Sequence, residues 1–324
     1  MEASPNNYNH GFQSSQIEKF IILGNPNRHG VLKSATNLIR IIGQDRPIEF
    51  VETGQNPRKT FEKIYDQSLD PDKNCAIVVG GDGTIRNVFE SLRIDESFRS
   101  TPVITTKFVG GARDLNSNFE MRKSPYDLID LILQDQLVKG EIHPIEAHIN
   151  RSGNIRAYNV LGIGLSGLAA EKINQMQLFK HRSPQMFLNG LIVAKTLLEH
   201  SSSFGLNQTG KDNIQPVKEL IVTKGKRFAG FIKTTSKNLE PESQIHIING
   251  ITLKFLIDLI LGNHLDSAHK ISTEKAQDFD LSIHDGLILQ ADGDTFNLIP
   301  QNSQPIHLKL GLSKKSSTIL TIKK

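Results

Sequence analysis

The sequence predicts two domains, an αβα layer followed by an antiparallel β-sandwich, and three observations support this prediction. Apolar runs alternate with amphipathic helical patterns up to about residue 140. A glycine-rich turn joins one of these runs directly to the helical pattern that follows it. Beyond residue 200, short β-rich runs separated by polar turns predominate. Alternating strands and helices are typical of a Rossmann-like domain, and serial short strands are typical of a sandwich, so the fold class is α/β plus β.

The first domain begins with alternating strand and helix signals. Residues 20–23 form a short apolar run, and Asn25 and Pro26 follow it in a polar loop. Val31, Ala35, Leu38 and Ile42 then share one face of a helix. A second strand is predicted at residues 48–53, and Pro57 suits the first position of the next helix. This order of elements predicts the start of a parallel sheet with helices packed on it.

The glycine-rich turn is the most informative stretch of the chain. An apolar run at residues 76–79 is followed by Gly80, Gly81, Asp82, Gly83 and Thr84, and a helical stripe then begins at Ile85. The glycines permit positive φ and leave room for a ligand to approach the backbone. A strand that enters a helix through such a loop presents N–H groups and the positive end of the helix dipole to an anion. Phosphate fits this site, and Asp82 could hold a Mg²⁺-bound water or accept a proton. The simpler alternative is a tight turn capped by an aspartate.

Two further elements complete the first domain. Residues 102–106 form a fourth strand, and Ser124 with Pro125 begins a helix that we expect to end at Lys139 and Gly140. Residues 16–140 are therefore assigned to the αβα domain, and residues 1–15, rich in Asn, Ser and Gly, to a flexible tail. Residues 141–324 are assigned to the second domain. The final strand could belong to that domain or return to the first.

The second domain is predicted from a series of short strands. The strand-like runs are residues 204–207, 219–223, 228–235, 244–248, 279–283 and 287–291. The last of these leads into Asp292, Gly293 and Asp294, and an Asp-Gly pair after a strand is a hairpin turn signal. This series predicts an antiparallel sandwich.

Composition narrows the class of protein. The 324 residues are 37% hydrophobic and 22% charged, and 38 Lys and Arg against 34 Asp and Glu give a net charge of +4. This balance is compatible with anionic lipids or nucleotides, and no motif predicts nucleic-acid binding. The single cysteine, Cys75, excludes an internal disulfide and is expected to pack in the core. No apolar run approaches the ~20 residues of a membrane span, and the N-terminus lacks a signal-peptide core. We therefore expect a cytoplasmic protein that can associate peripherally with membranes.

The glycine loop resembles the nucleotide-binding loop of the diacylglycerol kinase catalytic family, which includes sphingosine kinases and bacterial lipid kinases. The resemblance implies that residues 80–84 bind ATP together with Mg²⁺ and that Asp82 contacts the metal through water. It also implies that Asn25 lines the nucleotide pocket. Thr53 occupies the place of a phosphate-contacting threonine, although a strand-terminal threonine would look the same.

The fourth strand is followed by a segment that resembles the family motif completing the nucleotide site. Gly110 and Asp114 match that motif, whereas Phe108, Gly111 and Arg113 replace its proline, threonine and asparagine. Arg113 could supply a charge-assisted phosphate contact in place of the lost amide. The resemblance therefore implies that Gly110, Arg113 and Asp114 contribute to the nucleotide site.

Asp294 stands where the family has a catalytic glutamate near the C-terminus. The resemblance thus implies a lipid kinase that moves the γ-phosphoryl group of ATP to the hydroxyl of diacylglycerol or a related lipid, as in phospholipid biosynthesis. Asp82 and Asp294 would be its two working carboxylates, expected to face each other across a cleft, and the lipid would be presented at a membrane surface. The alternative is a nucleotide- and lipid-binding regulatory protein that has lost the reaction. A homodimer is left open.

Overall fold

The structure, a computed structural model, divides into two compact units. The first comprises Met1–Ile142 with Lys315–Lys324, and the second comprises His143–Lys314. The residues that it describes are 16–28, 30–54, 56–67, 70–106, 125–150, 153–175, 195–196, 204–206, 215–225, 227–228, 232–233, 244–248, 271–275, 279–283, 286–299 and 306–322.

The first unit is a six-stranded sheet with helices packed on it. Its strands are β1 (Lys19–Gly24), β2 (Ile48–Glu52), β3 (Asn74–Val79), β4 (Val103–Thr106), β5 (Leu137–Ile142) and the last strand of the chain, β20 (Ser317–Ile322). Its helices are α1 (Val31–Ile42), α2 (Pro57–Asp66), α3 (Asp82–Leu92) and α4 (Pro125–Leu133), with a 3₁₀ turn at Glu96–Ser100. The strand order is β2-β1-β3-β4-β20-β5. Strands β1 to β4 and β20 run parallel, and β5 pairs antiparallel with β20.

The central strand of this sheet is buried along its whole length. Each residue of β3 is buried, as expected for a short apolar strand covered by helices on both faces. Cys75 lies in it as a free, fully buried thiol, which confirms its predicted place in the core. Burial raises the pKa of the Cys75 thiol, because the thiolate would lose its hydration. The thiol is therefore an inert core group rather than a nucleophile.

The helix that was expected to end at Lys139 and Gly140 ends earlier, at Leu133. Asp135 adopts a left-handed conformation with φ of 51°, and the N–H groups of Asp135 and Gln136 donate to the carbonyls of Ile132 and Leu131. This pair of bonds is a Schellman motif, which closes a helix. The residues beyond it form β5, in which Leu137 and Ile142 are buried. The sequence interpretation extended a helical period over a segment that pairs with β20 instead.

The second unit contains the remaining elements. In chain order they are β6 (Ile145–Ile149), β7 (Gly153–Ala157), β8 (Val160–Gly164), α5 (Leu165–Gln175), β9 (Phe204–Leu206), β10 (Gln215–Val217), β11 (Glu219–Thr223), β12 (Arg227–Phe228), β13 (Ile232–Lys233), β14 (Gln244–Ile248), β15 (Ile271–Lys275), β16 (Phe279–Ile283), β17 (Leu287–Ala291), β18 (Asp294–Leu298) and β19 (Ile306–Leu312).

Two antiparallel sheets of the second unit share one hydrophobic core. A six-stranded sheet has the order β15-β14-β11-β8-β17-β18, and a four-stranded sheet has the order β16-β19-β6-β7. One cluster of buried residues includes Leu161 and Leu220 from the larger sheet and Ala147 and Leu308 from the smaller one. Such interdigitation between two sheets defines a sandwich. The predicted fold class, an αβα domain followed by a β-sandwich, is confirmed.

Candidate functional site

Four strand ends of the first unit meet at one edge of the parallel sheet. The last register row there runs across Glu52, Gly24, Val79 and Thr106, at the ends of β2, β1, β3 and β4. The residue after each strand therefore lies at the same edge, and the amide of Thr53 donates to the carbonyl of Gly24 at 2.9 Å. The sheet geometry thus brings together the segments that carry Asn25, Thr53 and the glycine loop.

This edge contains the switch point of the sheet. Strand β1 lies between β2 and β3, so the chain leaves β1 in one direction and leaves β3 in the other. Helix α1 packs with α4, and α2 packs with α3. Right-handed crossovers then place the two helix pairs on opposite faces of the sheet. In open α/β sheets ligands bind in the crevice at such a point, outside the carboxyl ends of the strands.

The glycine loop turns β3 directly into α3. Gly81 is the residue that caps the helix, and its carbonyl accepts the amides of Thr84 at 2.9 Å and Ile85 at 3.1 Å. The φ of Gly81 is −88°, and the glycines with positive φ in the described part of the chain lie elsewhere. The loop glycines therefore allow other atoms to approach the backbone closely and do not form a left-handed turn. The expectation that they use positive φ is corrected.

Gly80 shows where the space is needed. A Cβ placed on Gly80 would lie 2.5 Å from the Cβ of Thr84 and 2.6 Å from its Oγ1. Without a side chain at Gly80, Thr84 folds back over the strand end, and the first turn of α3 keeps its N–H groups directed out of the sheet edge. This is a cradle suited to phosphate.

Asp82 occupies the first position of α3 and is 7% exposed. A carboxylate in the first turn of a helix interacts favourably with the positive end of the helix dipole. Its place beside the cradle suits a water-mediated contact to a cation held by phosphate oxygens. The described residues contain no group of three or more His, Cys, Asp or Glu side chains that could hold a metal ion.

Asn25 and Thr53 flank the cradle from the two neighbouring strands. The side chain of Asn25 accepts the amide of Asn27 at 3.0 Å, which fixes the loop after β1 as an Asx turn. Thr53 is 4% exposed, and its buried hydroxyl has no hydrogen-bond partner among the residues that the structure describes. A buried hydroxyl without a partner is costly, and a ligand oxygen would satisfy it. Thr101, Thr105 and Thr196 also have buried hydroxyls of this kind, so the phosphate contact of Thr53 stays a prediction beside the strand-terminal alternative.

The other predicted nucleotide residues lie outside the described part of the chain. Gly110, Arg113 and Asp114 fall between Thr106 and Pro125, as do the substituted positions Phe108 and Gly111. Their contribution to the nucleotide site stays a prediction.

Asp294 lies in the second unit, at the start of β18. It pairs across the hairpin with Ala291, and its side chain is exposed. The turn between them consists of Asp292 with φ of 50° and Gly293 with φ of 93°. Two positive φ values define a type I′ turn, so the hairpin interpretation of Asp-Gly is correct as far as the backbone is concerned. That Asp82 and Asp294 face each other stays a prediction.

Asp292 has a different role, which sequence reasoning missed. Its carboxylate is 6% exposed and accepts three backbone amides, from Tyr158 at 2.5 Å and from Asn159 and Val160 at 2.9 Å each. Gln290 adds a bond from the amide of Gly293 to its Oε1 at 3.1 Å. The hairpin is thereby fixed to the turn between β7 and β8. No local signal in the sequence marks this carboxylate, because its amide partners lie more than a hundred residues away.

Glu219 is a second buried carboxylate that the sequence did not single out. It accepts the amide of Ser166 at 2.8 Å and the hydroxyl of Ser166 at 2.5 Å, at the start of α5. Burial raises the pKa of Glu219 to about 8, and the hydrogen bonds from Ser166 and Leu165 offset part of this rise.

Comparisons with known proteins identify the fold. No protein-family model and no curated protein matches the sequence. Three solved structures from Bacillus anthracis str. Sterne are similar to this chain. One, provisionally assigned as a diacylglycerol kinase, has 16% identity and a TM-score of 0.66 over 94% of this chain and 98% of its own. A second, described as a diacylglycerol kinase, has 14% identity and a TM-score of 0.62 over 94% and 97%. A third, again provisionally assigned as a diacylglycerol kinase, has 15% identity and a TM-score of 0.65 over 95% and 97%.

Within the described residues, no helix is both long enough and apolar enough to cross a bilayer. The similarity to the three structures covers nearly the whole of each chain, including both units. The chain therefore has the fold of these diacylglycerol kinase structures, and the resemblance drawn from its sequence is confirmed at the level of the fold.

Proposed function

We propose that the protein is an ATP-dependent lipid kinase that phosphorylates the hydroxyl of diacylglycerol or a related lipid. The observation that carries the proposal is the phosphate cradle at the switch point of a sheet with this fold. There, the glycine loop, the start of α3 and the unpaired hydroxyl of Thr53 lie at one edge. Phosphoryl transfer requires mainly positioning and electrostatic stabilisation, and this edge supplies both.

Each residue at the edge has a definable task. The N–H groups at the start of α3 and the hydroxyl of Thr53 hold phosphate oxygens, and Asn25 keeps the loop after β1 in place. Asp82, beside the cradle, orients a cation through water or accepts a proton. When bound, ATP with Mg²⁺ supplies the phosphoryl group and neutralises its charge.

Asp294 is the proposed base for the lipid hydroxyl. It is exposed, and a two-residue turn anchored by Asp292 fixes its backbone. A rigidly held and solvated carboxylate can accept a proton from a hydroxyl that approaches it. Its side chain is one methylene shorter than glutamate, so the geometry of substrate approach determines how well it works.

The decisive experiment is incubation of the full chain with γ-labelled ATP, Mg²⁺ and vesicles that contain diacylglycerol. We expect labelled phosphorylated lipid, and we expect Asp82→Asn to abolish it. ATP binding without transfer to any hydroxyl-bearing lipid would overturn the proposal and leave a nucleotide-binding protein. Transfer that persists in Asp82→Asn would refute the role of the cradle aspartate.

A further inference from the structure

The exposed face of α1 combines apolar and basic side chains in two parallel rows. Leu32 is 53% exposed and Ile39 is 37% exposed, and the two are seven residues apart, so they lie two turns apart on one face. Lys33 and Arg40 have the same spacing one position further along, and both are exposed. An apolar row therefore runs beside a basic row along the outer surface of α1.

The cations on and beside α1 have no side-chain partner among the described residues, as is also the case for Arg58 and Lys59 on α2. Arg28, Lys33 and Arg40 form no ion pair or side-chain hydrogen bond with any described residue. By contrast, Lys19, Lys63, Lys73 and Lys315 pair with Glu49, Glu52, Glu18 and Glu96 at 3.0 to 3.6 Å. The neighbouring helix α4 has the exposed acidic residues Asp127 and Asp130.

The loop after β1 and helix α1 carry only basic charges in the sequence. Residues 25–44 contain three Lys and Arg residues and no Asp or Glu. An exposed apolar row beside uncompensated cations complements a bilayer with anionic headgroups, because the apolar side chains insert and the cations meet the phosphates. A protein partner would need a matching acidic groove, whereas an anionic bilayer supplies charge over any footprint.

We infer that the outer face of α1, formed by Leu32, Lys33, Ile39 and Arg40, is the surface by which the protein docks on anionic membranes. This inference rests on the proposed function, since a lipid kinase must reach its substrate at a bilayer. The first turn of α1 follows directly from the loop after β1, so the docking surface begins at the same sheet edge as the phosphate cradle.

The test is co-sedimentation of the full chain with vesicles of phosphatidylcholine mixed with phosphatidylglycerol, and with phosphatidylcholine alone. We expect binding to the anionic vesicles that weakens as salt is added. The double variant Lys33→Gln/Arg40→Gln should lose about five-fold in affinity for each cation, or roughly twenty-five-fold in all. Leu32→Ser/Ile39→Ser should also bind weakly, because the inserting side chains are removed.

A matched control uses the exposed pair on α2. Lys63→Gln/Tyr65→Ser removes one cation and one exposed aromatic residue from another helix, and should bind the vesicles as the unmodified protein does. All variants change exposed side chains, and an unchanged thermal midpoint will show that each is folded. If the α1 variants bind anionic vesicles as well as the control does, the inference is wrong.

The outcome is separable from that of the kinase proposal. Phosphorylation of a soluble short-chain diacylglycerol needs no bilayer, so the α1 variants should retain it while losing transfer to lipid in vesicles. If no lipid is phosphorylated but vesicle binding still depends on α1, the proposed function fails and the docking surface stands. If soluble substrate is phosphorylated and the α1 variants bind vesicles as the unmodified protein does, the docking inference is wrong and the proposed function stands.

Discussion

Two aspartates of one hairpin differ sharply in burial although they lie only two residues apart. Asp292 is buried and accepts three amides, whereas Asp294 is exposed at the start of the next strand. A carboxylate with three N–H donors has little capacity left for a substrate. The sequence motif therefore contains one buried anchoring residue and one exposed residue, Asp294, for which we propose a role in proton transfer.

At Asp294 we predict that substitution affects rate and not stability. Asp294→Asn removes the proton acceptor and should abolish phosphoryl transfer with little change in ATP affinity, since no phosphate contact is lost. Asp294→Glu should restore reach and leave activity equal or higher. Steady-state kinetics and ATP titration on the two variants measure this. Full activity of Asp294→Asn would disprove the assignment and leave Asp82 as the candidate base.

At Asp292 we predict that substitution lowers the stability of the fold. Asp292→Ala leaves three buried amides without their acceptor, and the free energy of unfolding should fall by about 3 kcal/mol or more, because bonds to a charged group contribute about 1.5–3 kcal/mol each. Urea denaturation measures the change, with Asp294→Ala as the control that should alter stability by less than about 0.5 kcal/mol. Equal stability of the two variants would show that the anchor has no energetic role.

The glycine loop provides a third prediction at this scale. The backbone of Gly81 is extended, with φ of −88° and ψ of −176°, so Gly81→Val adds no left-handed strain and should lower ATP affinity by filling the phosphate cradle. Gly80→Ala should instead cost about 1–3 kcal/mol of folding stability, since its Cβ would overlap Thr84. Unchanged ATP affinity in a well-folded Gly81→Val protein would contradict the phosphate assignment.

Among the elements, the sequence predicted those whose pattern was local and strong. Strands β11, β14, β16 and β17 occur at their predicted residues, because each is a short β-rich run between polar turns. The helix α2 begins at Pro57 with Asn56 as its cap, as the start signals indicate.

Other elements were missed because tertiary pairing determines them. Strand β19 buries Ile306, Leu308 and Leu310 while His307 and Lys309 are exposed, a period of two that the sequence interpretation did not use. Strand β6 pairs with β19.

At the candidate site, the glycine loop was recognisable from its own residues. The clamp by Asp292 was not, since its partners are more than a hundred residues away and nothing local marks a buried carboxylate.

At the start of α5 we predict a pH-dependent contribution from Glu219. Burial raises its pKa from 4.5 to about 8, so the folded state holds a proton that the unfolded state releases near pH 4.5. Stability from this group is therefore complete at acid pH and is lost as the pH rises through about 8.

Glu219→Gln is the matching test, because glutamine has the same shape without the titration. Thermal or urea unfolding between pH 5 and pH 9 should show a steeper loss of stability for the unmodified protein than for the variant. Parallel curves for the two proteins would mean that the donors at Ser166 and Leu165 hold Glu219 ionised throughout.

The last strand of the chain, β20, belongs to the sheet of the first unit. Strand β20 lies between β4 and β5, and β20 is the one strand that pairs with β5 in the described part of the chain. Ile319 and Leu320 of β20 are fully buried. The first unit is thus built from both ends of the sequence, and its final strand is separated from β5 by the entire second unit.

This topology predicts that removing residues 315–324 unfolds the first unit while the second survives. Loss of a buried Ile or Leu side chain costs about 2–5 kcal/mol, and loss of Ile319 and Leu320 alone approaches the total stability of about 5–15 kcal/mol that a domain has. Strand β5 would also lose its ladder of hydrogen bonds to β20.

The truncated chain should therefore fail to bind ATP. Hydrogen exchange should be rapid throughout β1 to β5, with protection kept in the sandwich. Removal of Lys323 and Lys324 alone, which lie beyond β20, is the control and should leave both units protected. A truncated chain that keeps protection in β3 would show that the parallel strands are stable without the returning strand.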